Sequence, residues 1–327
     1  VDYFIRKGED MLYAVPVPYS TGLPSIMQNA ASMDNKGIEL QLSFDILKER
    51  AFKWTLDLNL THYKNKLTKL TQDEVWVSTK KWVEGGSIYD FWLMKWAGVD
   101  AENGDELWWY KNGDAWEKTN DYSLASKDPK SKQYVGSAIP KVYGGFTNNF
   151  SWKGLNLSVF FSYSVGGKMY DSNYQRLMHA GSLGHAWHKD ILKRWRKPGD
   201  EKYTNIPTLT DELYTVRGVY TGGENPINKT DIMNNVSSNY WQMYNNADMR
   251  VVSGNFLRCN SISLSYSFNS DLVKKLYLKS LSLSFGVSNP FVIKAKGLQG
   301  RDPEQLTIGS GTVPPQQTYS FSMNVTF

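Results

Sequence analysis

The chain has 327 residues, of which 41% are hydrophobic and 21% charged, a balance typical of folded proteins that argues against disorder. Its formal charge of +5 is not gathered into a basic run, so we expect no nucleic-acid partner. Cys259 is the only cysteine, which excludes an internal disulfide. The 12 Trp, 20 Tyr and 14 Phe exceed what one core needs and indicate an interface with lipid headgroups or with a flat ligand.

The hydrophobic pattern also bears on membrane attachment. The sequence has no run of eighteen apolar residues, so we expect no helical membrane anchor, and the first ten residues do not show a signal-peptide pattern. A membrane barrel stays open as a class, because its strands are short and alternate between apolar and polar residues.

Alternation with a period of two runs along most of the chain. In the stretch that begins at Phe52, the side chains of Phe52, Trp54 and Leu56 share one face, and the intervening polar residues share the other. The polar face is mostly small and hydroxylic. The pattern predicts about ten strands, near 1–9, 37–46, 52–64, 87–99, 105–111, 141–151, 155–167, 255–268, 279–291 and 317–327. One stretch, AWHKDILKRW, has a helical pattern instead.

Short and long connections alternate between these strands. The short ones are 46–52, 99–105, 151–155 and 268–279, and the long ones are 10–36, 65–86, 112–140, 168–254 and 292–316. Alternation places all short turns at one end of the sheet, which is the arrangement of outer-membrane barrels with periplasmic turns and extracellular loops. The pattern therefore favours an all-β, antiparallel, up-and-down transmembrane barrel. The alternative is a secreted β-sandwich that acts as a carbohydrate-binding or adhesion module.

Few residue groups suggest chemistry. His185 and His188 have a spacing that suits two metal ligands on a helix, but the spacing indicates no third ligand. Asp302 and Glu304 flank a proline, and a turn explains them as well as a cation or sugar site does. The Asn103-Gly104 pair predicts a hairpin turn rather than a calcium loop. We therefore expect no enzyme, no catalytic residue, no metal and no cofactor.

Aromatic residues in the long connections are the candidates for contact with a ligand or with a lidding protein. They are Trp76, Trp82, Trp116, Trp187, Trp195, Tyr240, Trp241 and Tyr244. The other explanation is that large loops need small cores of their own. Trp54, Trp108 and Trp109 are expected to face lipid or to join the aromatic girdle at the membrane interface.

Several segments together resemble a known family. They are NKGIELQLSF from Asn35, WAGVD from Trp96, IPKVYGGFTNNFSWKGLNLSVFFSY from Ile139, RWRKPGD from Arg194, GRDPE from Gly300 and the ending PPQQTYSFSMNVTF. In this order they resemble the C-terminal barrel part of the SusC/RagA-type TonB-dependent transporters of Bacteroidetes outer membranes. The resemblance extends over essentially the whole chain, 1–327.

The resemblance implies energised nutrient import across the outer membrane. A SusD-like surface lipoprotein would lid the barrel, partly through the long extracellular loop 168–254, and the TonB complex would act on a plug. The substrate would be an oligosaccharide or an oligopeptide. Family barrels have 22 strands, so we expect the N-terminal strands and the plug to come from the rest of a longer chain or from another polypeptide.

The C-terminus carries an apolar stripe in one strand. It consists of Tyr319, Phe321, Met323, Val325 and Phe327. A terminal strand with alternating apolar residues and a final aromatic residue resembles the signal that the barrel-assembly machinery binds. Its apolar face is expected to lie against the lipid bilayer.

Overall fold

A computed structural model describes residues 1–16, 19–23, 25–49, 51–178, 187–208, 247–275, 277–298, 301–304 and 315–327. The strands in this part of the chain are β1 (Asp2–Pro16), β2 (Ser25–Leu47), β3 (Phe52–Leu70), β4 (Glu74–Val77), β5 (Lys80–Val83), β6 (Asp90–Val99), β7 (Glu106–Asn112), β8 (Ala115–Thr119), β9 (Lys132–Ser137), β10 (Val142–Trp152), β11 (Leu155–Val165), β12 (Lys168–Tyr170), β13 (Val251–Ser253), β14 (Phe256–Ser267), β15 (Ser280–Lys294) and β16 (Thr318–Thr326). The helices are short: α1 (Tyr122–Lys127), α2 (Ser172–Leu177) and α3 (Ser270–Lys275).

Eight of the described strands form one large antiparallel sheet. Its order is β1-β2-β3-β10-β11-β14-β15-β16, so neighbours in the sheet follow one another along the chain apart from the strands inside two long connections. The expected all-β, antiparallel, up-and-down fold is confirmed. The eight strands lie in a single continuous sheet, unlike the two packed layers of a sandwich.

The register of the large sheet keeps apolar residues in rows on one face. One row runs across six strands through Trp54, Phe150, Leu157, Leu264, Phe285 and Phe321. Phe285 and Phe321 are 45% and 71% exposed. The next row, on the other face, contains Ser158, Ser263 and Gly286. The sheet therefore has one apolar face and one face of small polar residues.

Two of the ten predicted strands lie outside this sheet, which corrects the predicted connectivity. The segments 87–99 and 105–111 do form strands, but these are β6 and β7 of a second sheet with order β4-β5-β6-β7-β8, to which β9 adds by pairing with β6. This second sheet, here called the loop sheet, lies entirely within the connection from β3 to β10. The turn at 99–105 is therefore a hairpin within a loop, and 65–86 and 112–140 belong to the same connection.

The loop sheet has a core of its own, which explains why it separates from the large sheet. Met94, Trp108, Ala125 and Ala247 are each no more than 1% exposed and pack together. The expectation that Trp108 faces lipid or the membrane interface is therefore wrong, because this indole fills the interior of a loop domain. β6 pairs with β9 over Asp90–Met94, with β7 over Lys95–Val99 and with β5 at Phe91, so its strand partners all come from the same connection.

The connections of the large sheet still alternate in length. Those after β2, β10 and β14 are short, at 48–51, 153–154 and 268–279, and those after β3, β11 and β15 are long, at 71–141, 166–255 and 295–317. Most of the predicted loop 10–36 is strand instead, because β1 and β2 continue their pairing as far as Pro16 and Ser25. All long connections leave from one end of the sheet.

In the part of the chain that the structure describes, each helix has at most six residues. Asp121 and Asp171 cap α1 and α2 by accepting backbone N–H groups of the first turn. The predicted helix around AWHKDILKRW is a 3-10 helix, Lys189–Lys193, which His188 caps through Nδ1. Among the described residues, no helix is long and apolar enough to cross a membrane.

Candidate ligand-binding site

A cavity of about 870 Å³ lies between the polar face of the large sheet and the loop sheet. Its floor consists of Tyr63 from β3, Tyr143 and Gly144 from β10, and Ser162 and Ser164 from β11. These residues come from the strand ends from which the long connections leave. The cavity therefore opens at the loop end of the sheet, on its polar face.

Close packing shapes the floor of the cavity. The rings of Tyr63 and Tyr143 meet edge to face with centroids 6.3 Å apart. A Cβ atom on Gly144 would lie 2.1 Å from the backbone oxygen of Asn59, so only glycine fits there. Tyr163 donates its hydroxyl to the same oxygen at 3.1 Å. The floor is rigid, because its members come from three paired strands.

The loop sheet supplies the roof of the cavity, which includes Lys80, Trp82 and Phe91. The Lys80 ammonium donates to the backbone oxygen of Tyr89 at 2.8 Å and lies 4.5 Å from the centre of the Phe91 ring. Burial lowers the pKa of Lys80 to about 8, against the opposing charge of Asp90. This amine therefore holds its proton less firmly than an exposed lysine does.

Trp82 is the tryptophan of the cavity wall. Its indole N–H donates to the backbone oxygen of Ile88 at 3.1 Å, and its ring centroid lies 5.4 Å from that of Tyr13. The indole is thus fixed by the loop and by β1, with a ring surface turned towards the cavity. An aromatic wall of this kind suits the flat apolar face of a sugar ring or of a peptide side chain.

A buried ion pair holds the segment 301–304 at one side of the cavity. Arg258 is 4% exposed, and its Nη2 contacts Oδ1 and Oδ2 of Asp302 at 2.5 and 2.6 Å. Its Nε lies 2.7 Å from Oε2 of Glu304, a residue that also lines the cavity. Asp302 also accepts the backbone N–H of Glu304, as a turn residue does. The two acids therefore form a turn and also act as the counter-ions of a buried arginine.

A bulge in β14 places Arg258 on the polar face. Val159 pairs with Ile262, and Phe161 pairs with Cys259, so Asn260 is one extra residue on β14. A strict period of two would have put Arg258 on the same face as Ile262, which is the apolar one. The bulge reverses this parity and points the guanidinium at Asp302.

A second ion pair joins the same segment to α2. The guanidinium of Arg301 contacts both carboxylate oxygens of Asp171, which is 2% exposed and also accepts the N–H of Tyr174 at 2.9 Å. Burial raises the pKa of Asp171, although Tyr174 and Arg301 act in the opposite direction. Arg250 lies 5.1 Å from the centre of the Tyr174 ring. Segments from two long connections therefore meet at one edge of the cavity.

The other aromatic candidates lie away from the cavity. Trp76 packs against Trp92 in the loop sheet and donates to Glu74 at 2.9 Å. Trp116 lies on the β7–β8 hairpin. Trp187 is half-buried just before the 3-10 helix Lys189–Lys193.

Trp195 joins two long connections. It is 7% exposed, and a Cβ atom on Gly104 would lie 2.1 Å from its ring. Gly104 has a φ of +79° in the predicted Asn-Gly turn. Both this backbone conformation and the close approach of the Trp195 ring require glycine at position 104. Tyr240, Trp241 and Tyr244 lie outside the described residues, as do His179 and His185.

The sequence analysis did not single out Lys80, Tyr63, Tyr143 or Arg258. The one available signal was an arginine in the middle of an otherwise alternating strand, since an unpaired charge does not face lipid without cost. The described residues contain no group of three or more His, Cys, Asp or Glu side chains arranged to hold a metal ion.

The chain was compared with known proteins. No protein-family model matches it. The curated TonB-dependent receptor P39 of Formosa agariphila is 24% identical over 358 aligned positions, which cover 96% of this chain and 31% of that protein. The TonB-dependent receptor SusC of Bacteroides thetaiotaomicron is 24% identical and is matched over 100% of this chain and 30% of its own length.

The fold agrees with these sequence matches. A solved structure of the RagAB peptide transporter superimposes with a TM-score of 0.74 at 24% identity, covering 99% of this chain and 32% of that one. In sequence and in fold the chain is therefore similar to TonB-dependent receptors of the SusC/RagA type. The chain spans about a third of the length of the curated relatives it matches.

Proposed function

We propose that this SusC/RagA-type chain forms part of the wall of an outer-membrane barrel that imports a nutrient. The observation that carries the proposal is the pairing of one apolar face with one small polar face across six described strands. The apolar face would lie against the lipid bilayer and the polar face would line the lumen, as in known membrane barrels.

The two ends of the sheet give the proposal a direction. The short connections 48–51, 153–154 and 268–279 would lie in the periplasm, and the long ones would lie outside the cell. The cavity is then at the outer mouth of the lumen, where a ligand first meets the barrel wall. Its aromatic and tyrosine-rich lining suits an oligosaccharide or an oligopeptide.

Further partners follow from the family. A SusD-like surface lipoprotein would cover the outer mouth and contact the long loop 168–254. The N-terminal strands and plug would be supplied by the rest of the receptor, because β1 and β16 each have a free edge in the described sheet, and free edges are costly in lipid. The TonB complex would then act through that missing region. RagAB is described as a peptide transporter and SusC as a TonB-dependent receptor.

The C-terminal stripe fits a role in assembly. Tyr319, Phe321, Met323 and Val325 align on one face of β16, and Phe327 follows the strand at 80% exposure. We propose that the barrel-assembly machinery binds this stripe. Replacing Phe327 with Asp should reduce the amount of receptor in the outer membrane and leave uptake per receptor unchanged; a normal amount of assembled receptor would exclude this role.

The import proposal is tested on the complete receptor that contains this chain. We expect the receptor to need detergent for purification and to bring a surface lipoprotein with it. Nutrient uptake should stop when TonB is removed, and it should also stop when loop 168–254 is replaced by a short turn while the amount of assembled receptor stays normal. Unchanged uptake and unchanged lipoprotein binding in the loop variant would contradict the role given to this loop.

A further inference from the structure

A stack of lysines and tryptophans covers one face of β6, β7 and β8. Nζ of Lys118 lies 5.0 Å from the ring centre of Trp109, and Nζ of Lys95 lies 5.3 Å from the same ring. Lys95 is also 5.1 Å from Trp116, and Lys111 is 5.2 Å from Trp116. These five residues, here called the lysine–tryptophan stack, alternate cation and ring from one end to the other.

Strand register fixes the stack. Lys95 pairs with Trp109, which pairs with Lys118 on the next strand, and Lys111 pairs with Trp116. Side chains that are directly opposite in antiparallel strands lie on the same face. The opposite face holds Trp108, which is fully buried in the core of the loop sheet. The stack therefore faces outwards and cannot turn in towards that core.

The stack carries positive charge without its own counter-ions. None of the ion pairs formed by described residues includes Lys95, Lys111 or Lys118. Lys111 donates instead to the backbone oxygen of Asp114 at 2.8 Å. Glu117 lies on the other face of its strand, where it accepts the hydroxyl of Tyr110.

Asp248 interacts electrostatically with Lys95 of the stack. The charge of Lys95 acts on this carboxyl, but burial is the larger effect and raises the pKa of Asp248. Its Oδ1 accepts the backbone N–H of Trp96 at 2.9 Å, so it is already engaged by the loop backbone. Asp248 takes part in none of the ion pairs formed by the described residues, so it is not a close counter-ion of the stack.

The tryptophans of the stack also retain free hydrogen-bond donors. The indole N–H groups of Trp76 and Trp82 each have an acceptor within the loop sheet. Those of Trp109 and Trp116 have none within the described part of the chain, and neither is among its buried unpaired groups. Both residues are only partly buried. Two indole donors thus lie beside the three cations and reach solvent.

We propose that the lysine–tryptophan stack binds a charged glycan that carries carboxylate or sulfate groups along its chain. The proposal names a substrate class for the import function and rests on that function. Two ammonium groups on either side of one ring lie within about 10 Å of each other, a distance comparable to the screening length at physiological salt. One polyanion therefore interacts with all three cations at once.

The rigidity of the stack favours a glycan over an acidic peptide. The indoles hold the ammonium groups in a regular row, which matches charges that repeat at a fixed spacing along a stiff saccharide chain. A flexible acidic peptide would lose more conformational entropy on aligning its charges with the row. The free indole N–H groups are donors for sulfate or hydroxyl oxygens.

A second lysine and tryptophan cluster in the loop sheet differs from the stack, because its lysine has a carboxylate partner. Lys81 lies 4.5 Å from the Trp92 ring, but its Nζ also lies 2.6 Å from a carboxylate oxygen of Glu74. The charge of Lys81 is therefore balanced by Glu74, whereas no lysine of the stack forms an ion pair with a described residue. The missing acid is what makes the stack a site for an external anion.

The test uses the complete receptor, purified in detergent and immobilised. The probes are polygalacturonate, chondroitin sulfate, uncharged dextran and poly-glutamate. The test variant carries Lys95→Gln, Lys111→Gln and Lys118→Gln. The control variant carries three matched changes of exposed lysines outside the stack, Lys127→Gln, Lys130→Gln and Lys153→Gln. A third variant replaces the three stack lysines with Arg and retains the charge.

We expect the receptor to bind at least one of the two charged glycans and to bind dextran more weakly. Losing three ionic contacts at the protein surface should weaken that binding about tenfold in the Gln variant and flatten its salt dependence. The control and the Arg variant should bind as the unchanged receptor does. Unchanged binding by the Gln variant would overturn the proposal. So would binding of poly-glutamate without either charged glycan.

This assay separates the substrate class from the import function. Binding is measured on purified receptor, so it does not depend on TonB. Stack-dependent glycan binding in a receptor that imports nothing would support the binding site and count against the import function. TonB-dependent uptake in a receptor whose stack binds none of the charged glycans would support import and overturn the glycan assignment.

Discussion

Replacing Ile262 with Arg should destabilise the assembled barrel, because this side chain lies on the apolar face near the middle of β14. Ile262 pairs with Val159 on one side and Val287 on the other, so its cross-strand neighbours are also apolar. Its neighbour Ser263 points to the opposite face, where it pairs with Ser158 and Gly286. Ser263→Arg is therefore a matched control, one residue away.

The loss of stability in Ile262→Arg depends on how deep residue 262 lies in the membrane. Ile262 is five residues from Ser267, where β14 ends at a short connection. At about 3.4 Å per residue and a strand tilt of about 40°, this is about 13 Å, which is the centre of an apolar band about 25 Å tall. Arginine at the midplane costs about 2–4 kcal/mol. The folding equilibrium should therefore shift by about 30- to 700-fold.

Folding of the complete receptor into phospholipid vesicles, followed over a range of urea concentrations, measures this difference. We expect Ile262→Arg to lower the urea midpoint clearly and Ser263→Arg to change it little. Equal loss in the two variants, or a larger loss in Ser263→Arg, would mean that the two faces of the sheet are not lipid and lumen, and the reasoning would fail.

Three further predictions concern the loops and the cavity. Gly104→Ala should break the contact between Gly104 and Trp195, which joins two long connections, and should raise protease cleavage there. The control Gly113→Ala also has a positive φ but no neighbour within 4 Å, so it should show backbone strain alone. Equal increases in cleavage in the two variants would contradict this. Lys80 has a pKa of about 8, so at pH 8 it should be acetylated about a hundredfold faster than an unperturbed lysine of equal access. Peptide mass spectrometry measures this rate as a function of pH. A rate profile with its midpoint near pH 10.5 would contradict the lowered pKa. Arg258→Met should lower the free energy of unfolding by about 3–5 kcal/mol, because it leaves the buried Asp302 unpaired, and should expose 301–304 to protease. Adding Asp302→Asn should restore most of the protection from protease. Equal cleavage in the single and double variants would argue against the ion pair.

Sequence periodicity predicted the large sheet well, because alternation reports which residues share a face. It did not report which strands pair. The segment 87–99 alternates only weakly, and the pattern predicts a wall strand, although Met94 packs in the core of the loop sheet and Phe91 lines the cavity. Pairing of β6 with β9 joins residues about forty positions apart, and no local pattern specifies that choice.

The site was harder to predict than the fold for the same physical reason. Lys80 and Tyr143 meet at the cavity only because a loop sheet folds back over the strand ends. Arg258 reaches its acids only because one extra residue in β14 reverses the parity of the strand. The fold of the loop sheet leaves no signal near Lys80, and the only signal for Arg258 is its charge within an otherwise alternating strand. The aromatic excess did indicate an interface, and Trp82 and Trp116 lie on surfaces that carry the proposals above.

The central claim is that this chain lies in the outer membrane with its long connections outside the cell. Cys259 is fully buried, so it gives little background for single-cysteine labelling with a membrane-impermeant maleimide. On intact cells, we expect Lys127→Cys in the loop sheet connection to be labelled. Lys48→Cys and Lys274→Cys, in two short connections, should be labelled only after the outer membrane is made permeable. Labelling of the short connections on intact cells, with Lys127→Cys protected, would contradict the account.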